Sequence, residues 1–198
     1  MKRFFDILVS LFGIILLSPL MIVIALWIKL NSKGPVFFKQ ERVGKDNMLF
    51  NILKFRTMVV DAEKSGFYTA ENDSRITKPG NFLRKTSLDE LPQLFNILKG
   101  EMSVIGPRPT LKYQVDEYTD FQKRRMEVRP GVTGWAQVNG RNSLSWPERI
   151  KLDVWYVDNL SFPLDMKILW KTLFVWLRGE GVYAEKEKFI IGNDDEKL

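Results

Sequence analysis

The chain has 198 residues, with 30 Lys and Arg against 24 Asp and Glu, a formal net charge of +6 at pH 7, and neither cysteine nor histidine. This length suffices for one domain with a hydrophobic core and excludes two large ones, while the charge favours anionic partners such as lipid headgroups, nucleotides or nucleic acid. Without thiols or imidazoles, these residues offer no disulfide and no histidine base, and a bound metal would be held by oxygen, which favours Mg²⁺ or Mn²⁺ over zinc.

The first predicted element is an apolar helix. From Ile7 to Ile28 no residue is charged, and Lys or Arg flanks the run at both ends. A straight helix of this length spans about 30 Å, the thickness of a bilayer core, but Ser18-Pro19 lies at its middle, where proline removes a hydrogen bond and favours a bend. The two cationic flanks draw both ends toward the cytoplasm. We therefore expect residues 1–33 to form a re-entrant membrane anchor broken at Ser18 and Pro19; a spanning helix with a tolerated proline is the alternative.

The remaining residues, 34–198, are predicted to form one α/β domain that is mostly helical. Two short strands, in VFFKQERVG and MLFNILKF, flank a turn at residues 44–47. The polar stretch 59–79 predicts a helical turn and a mobile loop. The last residues, 193–198, predict a disordered tail.

Three further segments carry helix signals. Residues 87–100 begin with a Ser-x-x-Glu capping box and end in a glycine. Residues 112–128 predict one charged helix. Residues 145–157 begin with a second Ser-x-x-Glu box and a proline in the first turn, and their apolar face should point inward.

Residues 164–178 predict a helix with an unusual surface. Its cations lie on one narrow stripe, whereas leucine and tryptophan cover most of the remaining circumference. Such a helix is either buried in the core or amphipathic and interfacial, with tryptophan rings and snorkelling cations in the headgroup layer. The stripe consists of Lys167, Lys171 and Arg178.

Asp89 and Glu90 form the strongest candidate for chemistry. Acidic residues in the first turn of a helix most often stabilise free amides and the helix dipole, and that alternative applies here. However, Pro92 should make the entry irregular and present the side chains, and Arg84 upstream would stabilise ionised carboxylates and neutralise phosphate oxygens.

Several cations lie in stiff turns rich in glycine or proline, which is typical of phosphate recognition by planar guanidinium groups. A surface ion pair is the alternative for each one. An additional signal is Asp153, which falls on the inward face of its helix and needs as partner one of these turn arginines, the nearby Arg149 or a metal. The turns KFRTM, GPRP, VRPG and NGRN contribute Lys54, Arg56, Arg108, Arg129 and Arg141.

Three runs, LRKTSLDELPQLFNILKGEMSVIGPRP, RPGVTGWAQVNGRN and LDVWYV, closely resemble the bacterial sugar transferases called small monotopic phosphoglycosyl transferases. The resemblance covers nearly the whole chain. It implies a catalytic domain that transfers a sugar 1-phosphate from a UDP-sugar to undecaprenyl phosphate, releases UMP and starts a membrane glycan. It further implies a location on the cytoplasmic face of the bacterial inner membrane, and compactness and the VNGRN stretch suggest an N-acetylated amino sugar.

The resemblance also implies roles for single residues. Asp89 would be the nucleophile that forms a covalent phosphosugar, and Glu90 would assist Mg²⁺ binding or the second step. Arg84, Arg108 and Arg141, with Lys54, would hold phosphates or the nucleotide.

Two alternatives differ from this mechanism. In direct transfer, both substrates bind together and Asp89 ligates Mg²⁺ without becoming covalently modified. In a non-catalytic module, the basic turns would hold anionic lipid or nucleic acid at a membrane. The expected partners are UDP-sugar, undecaprenyl phosphate and membrane lipid, with no nucleic acid.

Overall fold

Helix α1 (Lys2–Asn31) is the longest element of the computed structural model, which describes residues 1–66 and 73–178. It is long and apolar enough to cross a membrane, with a mean hydropathy of 2.8 in its most apolar window. The helix continues across Pro19, and the Ser18 hydroxyl donates to the Ile15 carbonyl at 2.9 Å. That carbonyl is the acceptor that the missing N–H of Pro19 cannot reach, so Ser18 compensates for the proline.

Seven shorter helices and four strands follow in the described residues. The helices are α2 (Lys78–Thr86), α3 (Gln93–Lys99), α4 (Lys112–Asp116), α5 (Asp120–Lys123), α6 (Trp135–Val138), α7 (Trp146–Asp158) and α8 (Phe162–Arg178). The strands are β1 (Phe37–Val43), β2 (Leu49–Phe55), β3 (Ser103–Ile105) and β4 (Gly131–Thr133). Short 3₁₀ turns lie at Lys45–Asn47, Ala62–Ser65, Leu88–Glu90, Arg124–Glu127 and Arg141–Ser143. The predicted α/β fold with mostly helical content is confirmed.

Strands β1 and β2 form the predicted hairpin. They pair antiparallel from Phe37 opposite Phe55 to Val43 opposite Leu49, while β3 and β4 pair in parallel. Alternate residues of β2 are buried, and Phe50 packs with Ile97 and Met102 on the inner face. The two predicted strands and their turn are therefore confirmed, with Phe50, Ile52 and Phe55 as the buried residues of β2.

The acidic segment differs from the predicted capping box. Ser87 takes a left-handed conformation, with φ 56°, as the residue that ends α2, and its side chain makes no capping bond. A 3₁₀ turn carries Asp89 and Glu90, and α3 begins after Pro92. The irregular entry expected from Pro92 is thus present, and Gly100 ends α3 as predicted, in a left-handed conformation.

The charged helix predicted over residues 112–128 is wrong in its continuity. The segment folds as α4, α5 and a 3₁₀ turn, with a break before Thr119. The Thr119 hydroxyl caps α5 by accepting from the Gln122 backbone N–H, and the Thr119 backbone N–H donates to the side-chain amide oxygen of Gln122. A local capping pair therefore overrides the helical charge pattern.

Helix α7 begins as predicted. The Glu148 carboxylate accepts from both the backbone N–H and the hydroxyl of Ser145, each at 2.7 Å, and Ile150 and Val154 are fully buried on the inner face. Helix α8 packs Ile168 into the core. The predicted tail at residues 193–198 and part of the predicted loop lie outside the described residues.

Both ends of α1 are fastened to the same domain. At the start, Lys2 pairs with Asp165 at 2.7 Å and Arg3 donates to the last carbonyls of α3 at 2.6 and 2.8 Å. Asp6 is buried and accepts from the Ser103 hydroxyl and from the N–H of the next residue, both at 2.9 Å. At the far end, Arg56 donates to two carbonyls of the segment after α1, at 2.6 and 3.0 Å.

Candidate active site

A cavity of about 810 Å³ lies between the hairpin, the acidic turn and helices α6 and α7. Its lining brings together seven of the predicted site residues, namely Lys54, Arg84, Asp89, Glu90, Arg108, Arg141 and Asp153. Arg129 is not among the lining residues; its Nε donates to the Gly100 carbonyl at 2.9 Å. The folded chain therefore collects carboxylates and guanidinium groups from distant segments around one opening.

Glu90 is neutralised by two cations. Lys54 Nζ lies 2.8 Å from Glu90 Oε1, and Arg108 binds both carboxylate oxygens at 2.5 and 3.4 Å. Burial alone would raise the pKa of the Glu90 carboxyl, but the charges of Arg108 and Lys54 outweigh it and hold that pKa well below its ordinary value. Glu90 is therefore a fixed anion that orients two cations.

Asp89 lies beside this cluster in a different environment. Within the described residues its one ion-pair contact is Lys54 Nζ, at 4.0 Å, and 13% of its side chain is exposed. Burial raises the pKa of the Asp89 carboxyl, the charge of Lys54 lowers it and the charge of Glu90 raises it again, with a net upward shift. Asp89 thus carries oxygens that the protein leaves available on the cavity side.

Positive charge is crowded elsewhere in the lining. Burial lowers the pKa of Arg42, Arg141 and Arg149, and the charge of Arg108 lowers each further. Arg141, in a left-handed conformation with φ 53°, also donates to the Ser87 hydroxyl at 3.4 Å. An anion bound among these guanidinium groups would relieve their mutual repulsion, so the cavity is suited to phosphate.

Asp153 has the arginine partner that its inward position required. Arg125 Nη2 lies 2.6 Å from Asp153 Oδ2, and the same guanidinium donates to the Tyr118 hydroxyl and to the Arg108 carbonyl, both at 2.9 Å. Burial raises the pKa of Asp153 to about 6 against the opposing charge of Arg125. The pair therefore positions the Gly-Pro-Arg-Pro turn that carries Arg108.

Arg125 and Arg42 were missed by the sequence analysis, and Arg149, which was expected as a possible partner of Asp153, lines the cavity while Arg125 forms the ion pair. Arg125 stands next to Arg124, which forms exposed ion pairs with Glu127 and Asp158. The sequence contains no signal that separates these neighbours, because the difference in burial depends on how the broken segment packs against α7. Arg56 has a structural contact, since it binds carbonyls after α1.

The Mg²⁺ or Mn²⁺ expected from the sequence stays a prediction. Among the described residues no group of three or more acidic side chains is suited to hold an ion. Mg²⁺ commonly binds one or two carboxylates and completes its shell with water and substrate phosphate oxygens. Asp89 would supply one such carboxylate, whereas both Glu90 oxygens already accept hydrogen bonds from Arg108 and would have to exchange them for the ion.

Comparison with known proteins identifies the family. The profile described as bacterial sugar transferase matches residues 1–179, and the chain belongs to this family. The chain is 46% identical to the uncharacterized sugar transferase EpsL of Bacillus subtilis, over 92% of this chain and 90% of the relative. It is 46% identical to the UDP-N-acetylgalactosamine-undecaprenyl-phosphate N-acetylgalactosaminephosphotransferase of Aeromonas hydrophila, over 91% of this chain and 44% of that protein.

A third relative names another sugar. The undecaprenyl-phosphate galactose phosphotransferase of Salmonella typhimurium is 42% identical over 92% of this chain, and the chain spans 42% of its length. The chain thus covers less than half of both named phosphotransferases. The predicted family is confirmed, and with it the prediction that the protein is a transferase of phosphate-containing groups.

Proposed function

We propose that the protein transfers a sugar 1-phosphate from a UDP-sugar to undecaprenyl phosphate and releases UMP. Two of the three relatives named above are phosphotransferases for undecaprenyl phosphate. The observation that carries the proposal is the unequal carboxylate pair, in which Glu90 binds two cations while Asp89 stays available beside a basic cavity.

The proposed reaction has two steps. An ionised Asp89 oxygen attacks the phosphorus that bears the sugar, and the bond to the oxygen of UMP breaks. The resulting acyl phosphate is then attacked by an oxygen of undecaprenyl phosphate, which regenerates the carboxylate and forms a diphosphate-linked lipid. Because the nucleotide leaves before the lipid enters, the two large substrates need not share the cavity.

The chain's own residues stabilise charge during both steps. Lys54 and Arg108, fixed by Glu90, would face the phosphate oxygens near Asp89, and Arg84 and Arg141 line the same cavity. A bound Mg²⁺ would offset repulsion between the anionic nucleophile and the anionic substrate. We further propose that the sugar is an N-acetylated amino sugar.

We propose that α1 is a re-entrant anchor that holds the domain on the cytoplasmic face of the inner membrane. A helix of 30 residues is about 45 Å long, so its ends could not lie on opposite sides of a bilayer while both contact one soluble domain. Its outward face is apolar and exposed, as at Phe12, Ile15 and Val23. These contacts favour a helix that enters and leaves on one side.

Helix α8 would add a second membrane contact. Trp170, Leu173 and Phe174 are exposed on its outer face, whereas Lys171 faces inward and lies 4.9 Å from the centre of the Trp135 ring. The side chains of residues 176–178 lie outside the description. An exposed apolar face with an indole ring suits the headgroup layer.

One experiment tests the reaction. Purified protein is incubated with undecaprenyl phosphate, Mg²⁺ and a panel of UDP-sugars, and UMP release is measured. A second sample without the lipid acceptor is digested and analysed by mass spectrometry for a phosphosugar on the Asp89 peptide. We expect release of UMP and a trapped adduct; turnover without any adduct would favour direct transfer, and no turnover with any sugar would contradict the proposal.

The anchor is tested by labelling. Because the chain has no cysteine, single cysteines can be introduced after Met1 and at Lys33 and probed in sealed vesicles of known orientation. We expect both sites to react from the cytoplasmic side. Opposite accessibility would show that α1 spans the bilayer.

A further inference from the structure

One wall of the cavity contains buried polar atoms that lack hydrogen-bond partners. They are both amide atoms of Gln137 on α6, the indole nitrogen of Trp146 and Oδ1 of Asp153 on α7. All three residues line the cavity, and none of these atoms has a partner among the residues that the structure describes. Four such atoms on one wall are unusual, because buried polar groups are nearly always paired.

The free-energy cost of burying these four atoms without partners indicates that a ligand binds here. A buried donor or acceptor without a partner loses its hydration and gains nothing in return. The Asp153 side chain is 3% exposed, so bulk water does not compensate its free oxygen. A bound molecule with suitable groups would satisfy all four atoms at once.

Contacts with the arginines fix two of the three side chains, Trp146 and Asp153. The Gln137 amide lies against Gly134, where a Cβ atom would come within 2.8 Å of Oε1. The Trp146 ring lies below the guanidinium groups of Arg125 and Arg149, 5.9 and 5.5 Å from their centres. Asp153 is fixed by its bond to Arg125. Fixed partners of this kind suit recognition, since little order must be imposed when the ligand binds.

The chemistry of the atoms restricts the ligand. Gln137 Oε1 and Asp153 Oδ1 need donors, whereas the Gln137 amide nitrogen and the Trp146 N–H need acceptors. A phosphate offers acceptors alone, and the edge of uracil in a nucleotide has a single N–H. Hydroxyl groups both donate and accept, and an acetamido group provides one of each, so a carbohydrate ring matches the set. The ribose of the nucleotide has such hydroxyls as well, and the link from Asp153 through Arg125 to the Arg108 turn favours the transferred sugar over the ribose.

We propose that Gln137, Trp146 and Asp153 form the subsite that recognises the hydroxyl or acetamido groups of the transferred sugar. This inference rests on the proposed function, since it assigns one part of its substrate. The subsite is linked to the reacting end, because Arg125 joins Asp153 to the Arg108 carbonyl, and the Arg108 guanidinium binds Glu90. The sugar would therefore be held beside the turn that faces its phosphate.

The test compares binding of UDP with binding of UDP-sugars by calorimetry in proteins that all carry Asp89→Asn, so that no adduct can form; in this test the wild type and every variant carry that background change. Gln137→Met removes both amide atoms at similar length, and Trp146→Phe removes the indole N–H while keeping an aromatic ring. Gln93→Met is the matched control, because Gln93 is buried with an unpartnered Nε2 but does not line the cavity.

We expect the wild-type protein to bind one UDP-sugar more tightly than UDP. Each subsite variant should lose about tenfold in affinity for that sugar nucleotide, as is typical for a lost hydrogen bond at a buried site, with UDP affinity unchanged. Preference between sugars that differ at one position, such as the galactose and N-acetylgalactosamine nucleotides, should fall in parallel. Gln93→Met should keep both the affinity and the preference.

Other outcomes would overturn the inference. An equal loss of UDP affinity would show that the wall contacts the nucleoside, and unchanged sugar preference in both variants would show that it does not contact the sugar. Equal binding of UDP and all UDP-sugars by the wild type would also show that the wall does not contact the sugar. Sugar-selective binding without any UMP release by the protein that keeps Asp89 would instead contradict the proposed transfer and leave the subsite intact.

Discussion

Two carboxylate centres face the same cavity and differ in how their charge is balanced. On α7, Asp153 and Arg125 are both almost fully buried and bind each other at 2.6 Å. On the acidic turn, Glu90 takes two cations, whereas Asp89 has Lys54 at 4.0 Å. We call the Asp153–Arg125 ion pair the closed centre. We call the acidic turn the open centre, because its Asp89 carboxylate has a cation only at 4.0 Å among the described residues.

This difference separates positioning from chemistry. Arg125 uses its remaining donors on Tyr118 and on the Arg108 carbonyl, so the α7 centre stabilises the turn behind the site. In the acidic turn, Lys54 and Arg108 instead bind Glu90, and Asp89 is left available to the cavity. Adjacent residues in one 3₁₀ turn can therefore hold opposite roles because only one of them is reached by Arg108.

The sharpest test of the open centre is Asp89→Asn. The substitution keeps the shape and removes the charge and the nucleophile, so we expect UMP release to fall by about 10³-fold or more. Circular dichroism and thermal unfolding should match the wild type. Asp116→Asn, at an exposed ion pair with Lys112, is the control and should change neither property. Normal turnover in Asp89→Asn would remove the distinction between the two centres.

The closed centre is tested by Arg125→Met. The change leaves Asp153 buried without its partner and the Arg108 carbonyl without its donor, so we expect a loss of about 3–5 kcal/mol in the free energy of unfolding. The neighbouring Arg124→Met removes an exposed pair and should cost about 0–1 kcal/mol. Denaturant unfolding of both variants measures the difference. Equal losses in the free energy of unfolding would show that the buried Arg125–Asp153 pair stabilises the fold no more than the exposed contacts of Arg124.

Glu90→Gln tests how far activity depends on the pairing of Lys54 and Arg108 with Glu90. Without the Glu90 charge, Lys54 and Arg108 lose their fixed partner, and we expect turnover to fall by about 10–100-fold, less than in Asp89→Asn. Rapid-quench measurement of adduct formation should show that the first step still occurs. A loss as large as that of Asp89→Asn would indicate that both carboxylates react.

The pH dependence should be the smallest effect. Asp89 must be ionised to attack, and its pKa is raised by burial, so activity should fall on acidification at a higher pH than for an ordinary aspartate. The charge of Glu90 contributes to the upward shift, so Glu90→Gln should move this acidic limb to lower pH. The measurement is kcat/KM against pH for both proteins. An acidic limb at the same pH in both would contradict the coupling between the two carboxyls.

The sequence predicted those parts of the fold that depend on local patterns. Two short strand-forming runs around a turn specified the hairpin, Gly100 marked the end of α3, and the box at Ser145 marked the start of α7. The box at Ser87 was misleading, because that residue ends α2 in a left-handed conformation set by the packing of the two segments. The break at Thr119 was missed since a charged amphipathic pattern does not report a local cap.

The candidate site was predictable in composition and less so in geometry. Motifs identified seven residues that share the cavity, but Arg129 binds a carbonyl outside it. Which carboxylate receives Arg108, and which arginine reaches Asp153, depends on distances across the fold. No spacing along the chain contains that information.

The hydrogen bonds that Arg56 donates to the segment after α1 have a mechanical consequence. Arg56 directly follows β2 and binds the chain just after α1. Lys54, two residues earlier at the end of β2, binds Glu90. If α1 is the proposed anchor and Asp89 the proposed nucleophile, strain on the helix from bilayer thickness or lateral pressure would reach the acidic turn across only three residues of chain. Under that proposal the elastic state of the lipid would influence how fast the bound phosphate reacts.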